Sequence, residues 1–325
     1  MRTSGKIGVV IFFVMSGFLI THLLLAEQKT YNKINIKKFY IRRILRIWPL
    51  YFIIIFLAFT VTPLINVFDI PGIPLDTIYK DFSGKLILFL FMFPNLALVI
   101  YGVIPYASPS WSIGTEEQYY AVWPMAMRFF KRRQLAITIF IFTFYIVVQH
   151  FLSYISSSRS INYIDIVIKY WDTLFLSSLA TGGIFAIIFF RKLKILKYFL
   201  NNHAFYISLI TVIYLIINGK TFTYFNYEIY SFLFGIIILN FAANSNIPIT
   251  FEFRLFKYLG RISYGLYMYH SIAIVLSFFI LKEIGTINDF FLYPLTFILT
   301  IVLAGLSYRY IEAFFLKYKP YNNKI

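Results

Sequence analysis

Apolar side chains gather in ten runs, at about 7–26, 47–66, 85–101, 117–130, 135–153, 172–190, 204–218, 229–243, 262–281 and 290–311, joined by short polar segments. Several approach the roughly 20 residues a helix needs to cross a bilayer. The runs are continuous and do not alternate with period two, so they predict helices and speak against a β-barrel. The expected fold is an all-α polytopic integral membrane protein with nine to ten transmembrane helices. A single transmembrane domain over 1–325 with no soluble domain is expected.

One stretch breaks the rhythm. The 85–101 run is interrupted by Pro94-Asn95 and followed by Gly102, Pro105 and Pro109. Non-helical backbone at membrane depth survives only where protein or a water-filled cavity satisfies its polar groups. The pattern therefore predicts a re-entrant segment near 85–116 that enters from the outside without crossing, after which 117–130 crosses inward.

Charge orients the runs. The 325 residues carry 30 Lys and Arg against 13 Asp and Glu, a net charge of +17. Five basic groups sit in short loops: Lys29 to Arg46, Arg128 to Arg133, Arg191 to Lys197, Arg254 to Arg261, and Lys317, Lys319 and Lys324. The positive-inside rule places all five in the cytoplasm, and the acids Asp69, Asp76, Asp81, Asp165, Glu228 and Asp289 outside. This distribution explains the charge by topology, and no nucleic-acid partner is expected. The location expected is the bacterial cytoplasmic membrane, in multi-pass form. Nine crossings with a cytoplasmic C-terminus put Met1 outside, as if an earlier spanning helix were missing.

The composition agrees: 60% of residues are hydrophobic and 22% aromatic, with a mean hydropathy of +0.76. Without cysteine, disulfides and thiolate chemistry are excluded. The four histidines, His22, His150, His203 and His270, form no close pair, so no metal centre is expected.

Against this apolar background a few polar stretches stand out. Pro109 to Tyr120 reads Pro-Ser-Trp-Ser-Ile-Gly-Thr-Glu-Glu-Gln-Tyr-Tyr and sets two adjacent carboxylates, Glu116 and Glu117, at the head of an apolar run. Such charge is costly at a bilayer edge and is seldom idle. Adjacent helical residues point about 100° apart, so the pair is not a dyad. Trp111, Ser112 and Tyr120 fit either an acceptor pocket or an interfacial aromatic belt. Ser16-Gly17, inside Gly8 to Thr21, fits either close helix packing or close approach of a substrate. Arg43 and Arg46 share a helix face and fit either topogenic charge or a guanidinium pair for phosphates. His270 lies roughly 12 Å into its helix, at 1.5 Å per residue, and either bonds a neighbouring helix or handles protons. Arg309 and Glu312 are spaced to pair with each other.

These stretches together resemble the membrane-bound acyltransferase 3 family, which includes O-acetyltransferases of surface glycans. The resemblance rests on five motifs in order: Gly8 to Thr21, Phe39 to Tyr51, Trp111 to Tyr120, Leu259 to His270, and Tyr308 to Phe315. Small departures occur at Ile113 (Leu in the family), Tyr119 (Phe) and Ala313-Phe314 (x-Pro). The family begins with one more spanning helix, bearing an Arg and a later His, and His22 does not match that position. The resemblance thus implies a chain N-terminally truncated relative to the family.

What the resemblance implies is transfer of an acyl group, first of all acetyl, from cytoplasmic acyl-CoA to a hydroxyl of a cell-surface or lipid-linked carbohydrate. No bound cofactor or metal is expected; acetyl-CoA or another acyl-CoA is the donor substrate. Partners are then acyl-CoA, a carbohydrate acceptor and the lipid bilayer. Glu116 and His270 are the expected catalytic residues. Arg43 and Arg46 are expected to bind acyl-CoA, and Trp111, Ser112, Tyr120, Ser16 and Gly17 to form the acceptor pocket. Two alternatives stand beside this reading. One is a transporter-like protein, for which the sequence shows no inverted repeat. The other is a non-catalytic remnant lacking the family's first-helix His.

Overall fold

The computed structural model describes residues 3–70, 76–158, 162–222, 225–248 and 252–320; Met1 and Lys324 lie outside them. Helices make up nearly all of it, with no strand among the described residues. Among the described residues, seven helical segments are long and apolar enough to cross a membrane: Gly5–Tyr31, Ile36–Leu64, Gln134–Ile155, Ile164–Phe190, Asn226–Ala243, Arg254–Glu283 and Asp289–Leu316. Asn202–Ile217 is apolar but shorter. The protein is a polytopic, all-helical membrane protein, as the runs predict. Its large exposed side chains fit a lipid-facing surface; Phe290, for example, is 76% exposed.

The backbone gathers into two compact units. The first contains the described residues of Met1–Ile36 and Thr115–Thr250. Its centre is helix Leu176–Phe190, buried along nearly its whole length from Ser177 to Ile188. That burial requires neighbours to come close, and glycine permits it. A Cβ on Gly17 would lie 2.8 Å from the Leu179 carbonyl carbon, and one on Gly182 would lie 2.6 Å from the Phe18 nitrogen. The two glycines therefore let helices Thr3–Tyr31 and Leu176–Phe190 meet backbone to backbone.

The second unit contains the described residues of Lys37–Gly114 and Phe251–Asn322. Helix Ile36–Phe56 carries Pro49 inside it and continues through a π-helical turn, Leu57–Val61. Helices Arg254–Glu283 and Asp289–Ser307 pack where Gly265 faces Ala304. A second π-helical turn, Tyr308–Glu312, ends the last long helix.

The irregular stretch near 85–116 is broken as expected, but at a different place. Two short helices, Phe82–Leu90 and Pro94–Tyr101, flank a turn in which Met92 has φ +63°. Pro94 does not break a helix; it starts one, where its missing N–H costs nothing. The Tyr51 hydroxyl donates to the Phe89 carbonyl over 2.8 Å, steadying the end of the first short helix. Pro94 packs so tightly on Gly114 that an added Cβ would lie 2.6 Å from its Cγ.

Candidate active site

The expected site residues fall into both units. Helix Trp111–Phe129 begins in the second and continues in the first, so 112, 116 and 120 recur at four-residue steps along one helix.

In the first unit this helix is pinned from several directions. Thr115 Oγ1 donates to the Thr173 carbonyl over 2.9 Å, and the Tyr170 hydroxyl donates to Gln118 Oε1 over 3.2 Å. Trp123 Nε1 donates to Thr21 Oγ1 over 2.9 Å, and the Tyr119 ring stacks on Trp123 at 5.1 Å. The hydroxyls of Ser16 and Tyr120 hydrogen-bond each other. Between these anchors Glu116 is only 4% exposed, whereas Glu117 is half-buried. These contacts hold the helix that carries Glu116. Gly17, expected in the acceptor pocket, lies against the Leu179 backbone. His22 belongs to an aromatic cluster, its ring near-parallel to Phe18 at 6.2 Å and to Phe189 at 5.8 Å.

In the second unit Trp111 and Ser112 are buried, as is Tyr120 in the first, so none lies in an exposed aromatic belt. Ser112 Oγ donates to the Tyr267 hydroxyl over 2.9 Å, and that hydroxyl donates to the Pro109 carbonyl over 2.7 Å. Tyr267 thus ties the turn Ser108–Ser110 to the histidine helix. One turn onward, His270 Nδ1 bonds the Tyr267 carbonyl oxygen. A carbonyl oxygen can only accept, so Nδ1 is the donor in this bond. The His270 ring is half-buried, and the Tyr267 ring lies 5.7 Å away.

The arginine motif faces the chain's last segment. The Arg43 guanidinium lies 5.7 Å from the centre of the Phe39 ring, one turn back. Arg46 faces the buried Glu312, whose other neighbour is the Ser307 hydroxyl at 3.4 Å. The expected Arg309–Glu312 pair does not form. Arg309 lies over the Tyr310 ring instead. The π-helical turn winds residues 308–312 more loosely than an α-helix, so three-residue spacing no longer sets side chains on one face.

Sequence reasoning missed Tyr267. Tyr267 stands three residues before His270, a spacing that puts its carbonyl under the imidazole, and that signal was present.

Comparison with known proteins gives this geometry a setting. Residues 1–309 match the model of the acyltransferase 3 family, described as an acyltransferase domain. The chain is 28% identical to the "Putative O-acetyltransferase SACOL0978" of Staphylococcus aureus, over 97% of this chain and 53% of that protein. It is 28% identical to the "Peptidoglycan O-acetyltransferase OatA" of Listeria monocytogenes, over 95% of this chain and 51% of that protein. It is 29% identical to the "Putative peptidoglycan O-acetyltransferase YrhL" of Bacillus subtilis, over 95% of this chain and 50% of that protein. The chain thus spans about half the length of these curated relatives. No solved structure matches it. With the five motifs in order and the model matched along almost the whole chain, this protein belongs to the acyltransferase 3 family.

Proposed function

We propose that the chain transfers an acyl group, first of all acetyl, from cytoplasmic acyl-CoA to a hydroxyl of a cell-surface or lipid-linked carbohydrate. The observation that carries this reading is a carboxylate, Glu116, buried within the motif that the family match covers. The names of the relatives, two of them naming peptidoglycan, support a carbohydrate acceptor.

The chemistry needs a base for the acceptor hydroxyl and stabilisation of the oxyanion. Glu116 takes the hydroxyl proton as the oxygen attacks the thioester carbonyl carbon. The tetrahedral intermediate then collapses, the C–S bond breaks, and the CoA sulfur leaves as thiolate and is protonated. His270, whose Nδ1 is engaged by the Tyr267 carbonyl, is the second group suited to handle a proton. Arg43 and Arg46 bind the CoA phosphates, which guanidinium forks grip bidentately. Trp111, Ser112, Ser16 and Tyr120 shape the acceptor side through their buried aromatic faces and hydroxyls.

The test is acetate released by mild base from the glycan of cells with and without the gene, and with Glu116→Gln. Loss of the gene-dependent acetate in Glu116→Gln is expected. Acetylation at the wild-type level in that variant would remove Glu116 from the reaction.

A further inference from the structure

Three membrane spans of the first unit bring an exposed cation to one shared edge. Lys29 lies in the last turn before Tyr31, where the span Gly5–Tyr31 ends. Arg191 directly follows the span Ile164–Phe190, and Lys131 stands three residues before the span Gln134–Ile155.

Side chains tie these span ends together. Gln134 is fully buried and gives its Nε2 to Gln28 Oε1 and to the Met127 carbonyl, each over 2.8 Å. Its Oε1 accepts from Arg191 Nη2 over 2.7 Å, and the same nitrogen reaches the Lys131 carbonyl at 3.3 Å. Lys131 Nζ donates to Asn32 Oδ1 over 2.6 Å. The Lys29 ammonium lies 5.8 Å from the centre of the Phe190 ring, beside Arg191.

A cation at the end of a helix complements its dipole, and basic ends set topology. Neither effect calls for a buried amide that locks the ends to one another. The partners of the three cations are neutral: two side-chain amide oxygens, a peptide carbonyl and a ring. Among the described residues Arg191 is held through Nη2 alone, so the N–H groups of Nε and Nη1 remain for an outside oxygen. Guanidinium forks and ammonium groups suit phosphate.

Below the cations the surface turns apolar. His22, Phe189 and Phe190 are half-buried, and the His22 ring meets Phe189 at 5.8 Å and the edge of Phe190 at 5.6 Å. Seven-residue steps put Lys29, His22 and Met15 in one line down their helix, and Met15 is 49% exposed. That line is roughly 21 Å long, enough to cross one leaflet's hydrocarbon of about 15 Å. A soluble phosphate would use the cations and leave this line bare.

We infer that these three span ends form a site for an anionic phospholipid. Lys29, Lys131 and Arg191 grip its phosphate, at the headgroup level where spans end, and an acyl chain lies along His22 and Phe189 towards Met15. The site is independent of the acyl-transfer reading.

The test titrates dioleoylphosphatidylglycerol into the detergent-purified chain and counts bound lipid by native mass spectrometry. Each cation near a lipid surface contributes about 1 kcal/mol, so Lys29→Ala with Arg191→Ala should weaken binding roughly thirtyfold. Lys194→Ala with Lys197→Ala removes the same charge from exposed positions outside the site and should leave binding unchanged. Dioleoylphosphatidylcholine, whose headgroup carries no net charge, should bind all variants alike and weakly. Should the Lys29–Arg191 double variant fail to fold, Lys29→Ala alone carries the test, with a roughly fivefold loss. Equal losses in the two double variants would mean diffuse attraction and overturn the site. Glycerol 3-phosphate, the phosphate without chains, should bind far more weakly than the lipid; equal affinity would overturn the assignment to a lipid.

Discussion

Replacing Gly17 with alanine tests how the first unit is built. The added methyl carbon would lie 2.8 Å from the Leu179 carbonyl carbon and 3.0 Å from its Cα, and nearer still to its oxygen. Ordinary carbon contacts are about 3.5–4.0 Å, so the two helices must part by about 1 Å. The obstacle is backbone on a buried helix, which cannot swing aside as a side chain would. A gap of that size forfeits a quarter to a half of the dispersion energy of facing atoms along the interface. Overpacking of this kind costs ~1–3 kcal/mol, here towards the upper end, against a gain of up to ~1 kcal/mol from alanine's better helix propensity. A net loss of about 2 kcal/mol follows. Gly8 supplies the control on the same helix. Nothing lies within 4 Å of a Cβ placed there, so Gly8→Ala should be neutral or gain up to ~1 kcal/mol. Thermal unfolding of both variants in one detergent, followed by intrinsic fluorescence, should separate them by several degrees. If they melt together, the backbone contact does not hold these helices and the argument is wrong.

Two other substitutions probe the second unit. Tyr267→Phe removes the partner of buried Ser112 and the donor to the Pro109 carbonyl, and should cost ~1–3 kcal/mol. Hydrogen exchange should quicken over 108–112, and unchanged protection there would show that Tyr267 does not hold the turn. Arg46→Ala takes the cation away from buried Glu312 and should lower stability by ~1 kcal/mol, since Arg46 is itself exposed and screened. Adding Glu312→Gln should recover most of that loss in a double-mutant cycle, and additive losses would mean the two side chains do not interact.

Much of the fold was legible because lipid imposes a simple demand. Runs such as 135–153 and 262–281 fall inside Gln134–Ile155 and Arg254–Glu283, since a backbone in hydrocarbon must bond to itself. The 85–101 run was read correctly as broken but the break was placed at Pro94-Asn95. The structure puts it at Phe91 to Phe93, because a proline at a helix start and one that ends a helix look the same in sequence. Ser16-Gly17 left packing and substrate approach both open, and the backbone that Gly17 meets, Leu179, lies some 160 positions away. Glu116 is buried and Glu117 half-buried, yet the partners that hold their helix, Thr173, Tyr170 and Thr21, are named by no local pattern around Glu116. The Arg309–Glu312 pairing failed because it assumed α-helical winding where the chain winds more loosely.

That looser turn at Tyr308–Glu312 has an evolutionary side. A π-helical turn amounts to one residue inserted into an α-helix. Each residue turns a helix by about 100°, so a single deletion here would swing everything beyond it round by that angle. Glu312 would leave Arg46, although both side chains remained in the gene. Across relatives, the length of this turn would therefore report on the tail's chemistry as directly as the identity of any residue in it.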